Sequence, residues 1–267
     1  MGASFLITLR EGLEVSLVLA IIISYLVKCG RKEDIPAVWR GSALAAVLCL
    51  ISGIAFNIFV GDFEGKSEQF IEGTIAIVAA SVLTWMIFWM GKNARNLGAS
   101  LRGQVDAATS TRALMVIAFV AVLREGFETV LFLLSAETSS ASGTSVVIGG
   151  LLGLVVAAIL GRLVYAGGNK LNLALFFRVT GFLLLLFAAG LFGKFFHEYR
   201  ELLGFEDGWL VSSAWNIKSG IWAEGTFYDF MKGFFGWHYA YENIRLIAYF
   251  AYLLPVGWLF LQTSKKS

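Results

Sequence analysis

The chain has 267 residues, of which 58% are hydrophobic and 15% charged, and its mean hydropathy is +0.75. Soluble domains carry about 25% charged residues, so this composition excludes a soluble protein with a large core and points to an integral membrane protein. The formal net charge is +2, with no basic stripe and no Cys/His finger spacing, so no nucleic-acid partner is expected. Cys29 and Cys49 form no informative pair, and Cys49 sits in an apolar run as plain core. A cleaved signal peptide is not expected, because residues 2–9 are a short apolar stretch that no positive residue precedes.

A bilayer core about 30 Å thick needs roughly 20 apolar residues as helix. Seven segments meet that length, at about 3–27, 40–60, 71–91, 113–136, 144–166, 173–193 and 244–263. Backbone groups must pair internally in lipid, so these are helices. Alternate loops are basic: Lys28, Arg31, Lys32 and Arg40 follow span 1, and Lys92, Arg95, Arg102 and Arg112 follow span 3. Arg162, Lys170 and Arg178 surround the loop after span 5, and Lys265 and Lys266 end the chain. The loop 61–70 holds one lysine and the loop 137–143 no Lys or Arg. The positive-inside rule then predicts an external N-terminus and a cytoplasmic C-terminus, with the long loop 194–243 outside.

Arg10-Glu11-Gly12-Leu13-Glu14 in span 1 returns as Arg124-Glu125-Gly126-Phe127-Glu128 in span 4. A charge at the centre of a membrane helix costs about 2.5–3.5 kcal/mol on insertion scales. Three spans separate the copies, and an odd number inverts the second unit. The expected fold is therefore an all-α integral membrane protein of seven transmembrane helices, a 3+3 inverted repeat plus one C-terminal helix. It forms a single membrane domain, with repeats at 1–112 and 113–193, the external loop at 194–243, and the seventh helix and tail at 244–267. Secondary transporters built this way hold their ion sites near the midplane at the repeat interface.

On a helix Glu11 and Glu14 share a face at i, i+3, and Arg10 meets Glu14 at i, i+4; Glu125, Glu128 and Arg124 repeat this. Gly12 and Gly126 allow close approach of another helix. Spans 1 and 4 packed antiparallel gather four carboxylates and two guanidiniums, leaving two negative charges. Oxygen-only charged ligands suit a hard multivalent cation. Each Arg could instead simply pin one Glu, but two acids per arginine leave negative charge over. Metal-free carboxylates relaying protons are a further reading.

These residues resemble the oxidase-dependent iron permeases of fungi and bacteria, whose signature is Arg-Glu-x-x-Glu in the first and fourth membrane helices. The likeness covers nearly the whole chain and is greatest to the short bacterial members. Glu72-Gly73 at the start of span 3 and His197-Glu198-x-x-Glu201 after span 6 also match family segments. The resemblance implies that Glu11, Glu14, Glu125 and Glu128 are iron ligands, oriented and balanced by Arg10 and Arg124. It implies no permanent cofactor and iron as the transported substrate. The expected function is an iron permease carrying Fe(III) or Fe(II) inward, and not an enzyme. The fungal relatives take Fe(III) from a multicopper oxidase. The bacterial ones work with periplasmic proteins, including a haem peroxidase-type partner. Periplasmic or extracellular iron-handling or oxidoreductase partners are therefore expected, with membrane lipid around a multi-pass protein of the bacterial inner membrane.

Glu72, His197, Glu198 and Glu201 form a possible external capture point for the ion. Further acids and histidine of the outer loop, Glu206, Asp207, Glu224, Asp229, His238 and Glu242, read as solvated groups. Its tryptophans, Trp209, Trp215, Trp222 and Trp237, suggest amphipathic or re-entrant helix along the interface. Met86, Met90 and Met115 read as packing. The alternatives are a permease for another multivalent cation such as lead, and a membrane carboxylate di-metal enzyme. Bundle di-iron sites add Glu-x-x-His pairs, and neither motif here contains histidine.

Overall fold

The computed structural model describes residues 1–61, 65–108, 110–138, 143–165, 173–205 and 207–266. Among them are seven long helices: α1 (Gly2–Lys28), α2 (Ile35–Gly61), α3 (Lys66–Ala107), α4 (Thr111–Thr138), α5 (Gly143–Tyr165), α6 (Leu173–Leu202) and α8 (Asn243–Lys266). A shorter α7 (Thr226–Phe235) and two strands, β1 (Ser213–Asn216) and β2 (Ala240–Glu242), lie between α6 and α8. Glu206 and Lys170, and the side chains of Lys92, Arg95, Lys265 and Lys266, lie outside the described residues.

Five helices, α2, α3, α5, α6 and α8, are long and apolar enough to cross a bilayer. α2 shows why. Pro36 sits in its first turn, where the missing N–H breaks no helical bond. Leu44, Val47, Ile51, Ile54 and Ile58 then stay exposed along its length. In water such a face would drive aggregation, whereas lipid is its natural solvent. α1 and α4 match it in length, but each carries the Arg, Glu and Glu of its motif. The protein is a helical, multi-pass membrane protein.

The packing is pairwise. α1 lies along α5, α4 along α2, and α3 along α6, with α8 against α6 and with α1 and α4 meeting at the centre. One core joins Ile7, Ala79, Leu83, Met86, Phe132, Leu184 and Ala188, so Met86 and its neighbour Met90 are packing residues. A second joins Ile22, Leu26, Val38, Leu101, Leu114 and Ala118. Both motifs lie between these cores, so the charges form a polar layer across the bundle.

Two helices outrun their apolar stretches. α3 continues to Ala107 because Leu101 and Val105 recur at helical spacing and, with Ala108 just beyond, bury in the core shared with α1 and α4. Its 42 residues span about 63 Å at 1.5 Å each, twice the bilayer core. Tyr25 donates to Asp106 at 2.6 Å, Arg31 to the Ala108 carbonyl at 3.1 Å and Thr111 to Asp34 at 2.6 Å, which ties this end together. α6 likewise continues to Leu202, so Lys194 to Glu201 are helical rather than loop.

At the opposite end, β1 and β2 pair antiparallel, with Trp215 opposite Tyr241 and an irregularity between Ser213 and Trp215. Trp215 stacks on Trp237 and on Tyr241, with centroids 4.9 and 5.1 Å away. The expectation of amphipathic helix in this segment is met by α7 alone; the tryptophans Trp215, Trp222 and Trp237 pack on one another and on neighbouring rings. α7 ends at Gly236, whose φ of +66° is the left-handed cap that glycine adopts without strain.

Candidate metal site between α1 and α4

The carboxylates of Glu11, Glu14 and Glu125 each offer an oxygen within 4.8 Å of the others. Three oxygens spread evenly around a small divalent ion, with bonds of about 2.1 Å, stand about 3.6 Å apart. The three acids are thus near enough for side-chain rotation to close them on one ion. All three are buried. Arg10, 2% exposed, donates from Nε to Glu14 Oε1 at 3.1 Å. Arg124 Nε donates to Glu128 Oε1 at 3.2 Å and lies 3.8 Å from Glu125 Oε1. The i, i+4 pairing expected in both motifs is present in both.

Four other carboxylate oxygens of the layer have no hydrogen-bond partner. Both oxygens of Glu11, Oε2 of Glu125 and Oε2 of Glu128 are buried without a hydrogen-bond partner, as is Nη1 of Arg10. An unpartnered buried polar group costs about 1–3 kcal/mol, and more when charged. Four lone oxygens in one polar layer are the condition that a cation relieves.

The two halves are not equivalent. Arg124 is 40% exposed and its guanidinium lies over the Trp89 ring, 4.7 Å from the centroid. Trp89 on α3 carried no sequence signal, since an aromatic in an apolar span reads as packing. Glu128, held by Arg124, stands outside the group of three. The two glycines work alike. A Cβ on Gly12 would lie 2.9 Å from Ala157 Cβ on α5, and one on Gly126 2.4 Å from Cys49 Sγ on α2. Each glycine lets a neighbouring helix press against its motif.

The acids expected to capture the ion outside are distributed otherwise. Glu72 accepts from Lys194 Nζ at 2.6 Å, and Lys194 is itself buried. His197 Nδ1 lies 2.9 Å from Glu242 Oε2 and Nε2 3.4 Å from Glu201 Oε1. Arg200 joins both acids at 3.0 Å, and Gln69 donates to Glu201 Oε2 at 3.2 Å. Burial favours the neutral form of the Glu242 carboxyl, but the His197 hydrogen bond and the charges of His197 and Arg200 outweigh it and hold its pKa below the ordinary value. Glu198 alone of the expected set stays out of ion-pair distance of a cation among the described residues. Lys194 and Arg200 were the missed members, hidden because a basic residue at a helix end reads as a snorkelling side chain.

Residues 1–262 match the model of the Iron permease FTR1 family. The chain belongs to the iron permease family. This permease is therefore a transporter rather than an enzyme. It is 39% identical to the "Ferrous iron permease EfeU" of Yersinia pestis, over 100% of this chain and 95% of the relative. The protein of that name from Yersinia pseudotuberculosis is 39% identical over 98% of this chain and 93% of its own length. The one from Escherichia coli O6:H1 is 38% identical over 96% and 93%. No solved structure matches this permease.

Proposed function

We propose that this permease carries iron inward through a midplane site of Glu11, Glu14, Glu125 and Glu128, with Fe(II) as the transported species. The observation that carries the reading is the set of buried carboxylate oxygens that lack any donor. Four carboxylates against two guanidiniums leave two negative charges, which one divalent ion neutralises. Ferrous iron is also the ion in the relatives' name. Fe(II) is hard enough for oxygen ligands, and a −100 mV potential contributes about 2.3 kcal/mol per charge to its entry.

The packing supports an inverted repeat with α8 added. α1 on α5 has its counterpart in α4 on α2, while α1 with α4 and α3 with α6 are the self-paired contacts. Gly12 and Gly126 are 114 residues apart, and their contacts Ala157 and Cys49 are 108 apart. The step of 108 recurs between Gly149, pressed on Met1, and Gly41, pressed on Met115. Along with the loop charges, this favours the hairpin end as the external one. The half-exposed Arg124 supports a route of access. Arg124 is 40% exposed where Arg10 is sealed, which favours an approach of the ion to the group of three past Glu128 and Arg124.

The test is radio-iron uptake into proteoliposomes, with iron held as Fe(II) by ascorbate or as Fe(III), and an inside-negative potential imposed or removed. Uptake of Fe(II) that rises with the potential is expected. Uptake of Fe(III) alone would refute the assignment of oxidation state. Uptake unchanged in all four Glu→Gln variants would refute the site.

A further inference from the structure

A cavity of about 200 Å³ opens between the end of α6, α7 and the start of α8. Its walls are Lys194, His197 and Glu198 from α6, Lys232 from α7, His238, and Arg245 from α8, over a floor of Gly190 and Gly236. The floor is tight: a Cβ on Gly236 would come within 2.7 Å of Gly190 Cα, so the glycine pair lets α7 dock directly on α6. Apart from Lys194, the charged walls are partly open to solvent.

The charge is the wrong sign for a cation funnel. Lys194, Lys232 and Arg245 bring three positive charges, against Glu198 in the wall and Glu72 bonded to Lys194, so one positive charge is left over. His238 is held below its ordinary pKa by burial, and its Nδ1 lies 2.9 Å from the Ala240 carbonyl. His197 is engaged by Glu242. Lys194 is bonded to Glu72, but no carboxylate of the described residues lies within 4 Å of Lys232 or Arg245. Burial, and then repulsion from Arg245, push the Lys232 ammonium below its ordinary pKa against the weaker attraction of Asp229 and Glu72. With Lys194 held by Glu72, Lys232 and Arg245 are the two cations that face this half-enclosed space with no carboxylate at ion-pair distance among the described residues.

We propose that this cavity binds a small polyvalent oxyanion, a di- or tricarboxylate or phosphate, at the mouth of the permease. Lys232 and Arg245 are the ligands with donors to spare. Lys194 is taken up by Glu72, and Glu198 limits how strongly the anion is held. Bound there, the anion cancels a positive potential that would otherwise repel an approaching metal ion. The cavity has room for an anion of citrate's size, and Trp237 on its rim supplies an optical signal.

The experiment uses the full chain, purified in detergent and free of metal. Trisodium citrate and, separately, inorganic phosphate are titrated, with tryptophan fluorescence and calorimetry as readouts. Saturable binding of either anion is expected, and the tighter of the two names the source. Lys232→Gln and Arg245→Gln should each raise Kd by about tenfold, since each deletes one charge-assisted contact. Glu198→Gln should lower Kd, an effect of opposite sign that damage to the fold would not give. Absence of saturable binding up to about 10 mM of both anions, or unchanged Kd in the two cation variants, would overturn the assignment. Binding is read without iron, so its failure would leave the carboxylate path between α1 and α4 untouched.

Discussion

Glu11→Gln separates the roles of folding and metal binding in a single residue. Glu11 is 1% exposed and neither of its oxygens has a donor, whereas Glu14 and Glu128 each give one oxygen to an arginine. The substitution removes one charge and keeps the shape. A charge-assisted contact is worth about 1.5–3 kcal/mol, so apparent affinity for Fe(II) should fall by about 10–150-fold. Metal-free stability should move the other way. An unpartnered buried carboxylate beside Glu14 and Glu125 is relieved, which should raise stability by about 1–2 kcal/mol. Wild-type protein should gain about 2.7 kcal/mol from Fe(II) at 100 times its Kd, and the variant should gain almost nothing at the same concentration. The assay is thermal unfolding of the detergent-solubilised protein with and without anaerobic Fe(II), run beside uptake in proteoliposomes. A variant that is less stable without metal, yet equally stabilised by Fe(II), would refute the reasoning. Glu11 would then be a structural acid and not a ligand.

Arg10→Lys should impair uptake more than Arg124→Lys, because Arg10 is sealed and its planar fork cannot be replaced by an ammonium, while half-exposed Arg124 can draw on water; uptake rates of the two variants at equal expression check this. Gly126→Ala should destabilise the protein by about 1–3 kcal/mol through its clash with Cys49 Sγ, and adding Cys49→Ala should recover much of that, as read by thermal unfolding of the single and double variants. Glu242 has a lowered pKa, so its contribution is present above the ordinary carboxylate value and lost as pH falls through the lower folded value; fluorescence of the stacked Trp215 and Trp237 should change below about pH 4, and Glu242→Gln should abolish that step. In a background without Cys29 and Cys49, an impermeant thiol reagent added outside should label Lys218→Cys and not Gly103→Cys; the reverse pattern would overturn the orientation.

Long helices, the membrane class and the repeated motif could be read from the chain because they rest on local facts. Twenty apolar residues have one stable form in lipid, and Arg10 to Glu14 is a pattern of neighbours on one helix. The family likeness could be read for the same reason, since the motif is a contiguous string. The ends of α3 and α6 could not be read from apolar length. Leu101 and Val105 are helical because α1 and α4 offer them a surface, and hydropathy registers no such partner. The sequence also treats the two motifs as equals, yet burial differs between Arg10 and Arg124 because α4 and α1 have different neighbours. Glu72, His197 and Glu201 read as free acids and a free imidazole until Lys194, Arg200 and Glu242 are placed beside them. Spacing along one helix sets which charges are available. Which of them are neutralised, and which stay open to a ligand, depends on charges from distant segments, and only the packed bundle brings those together.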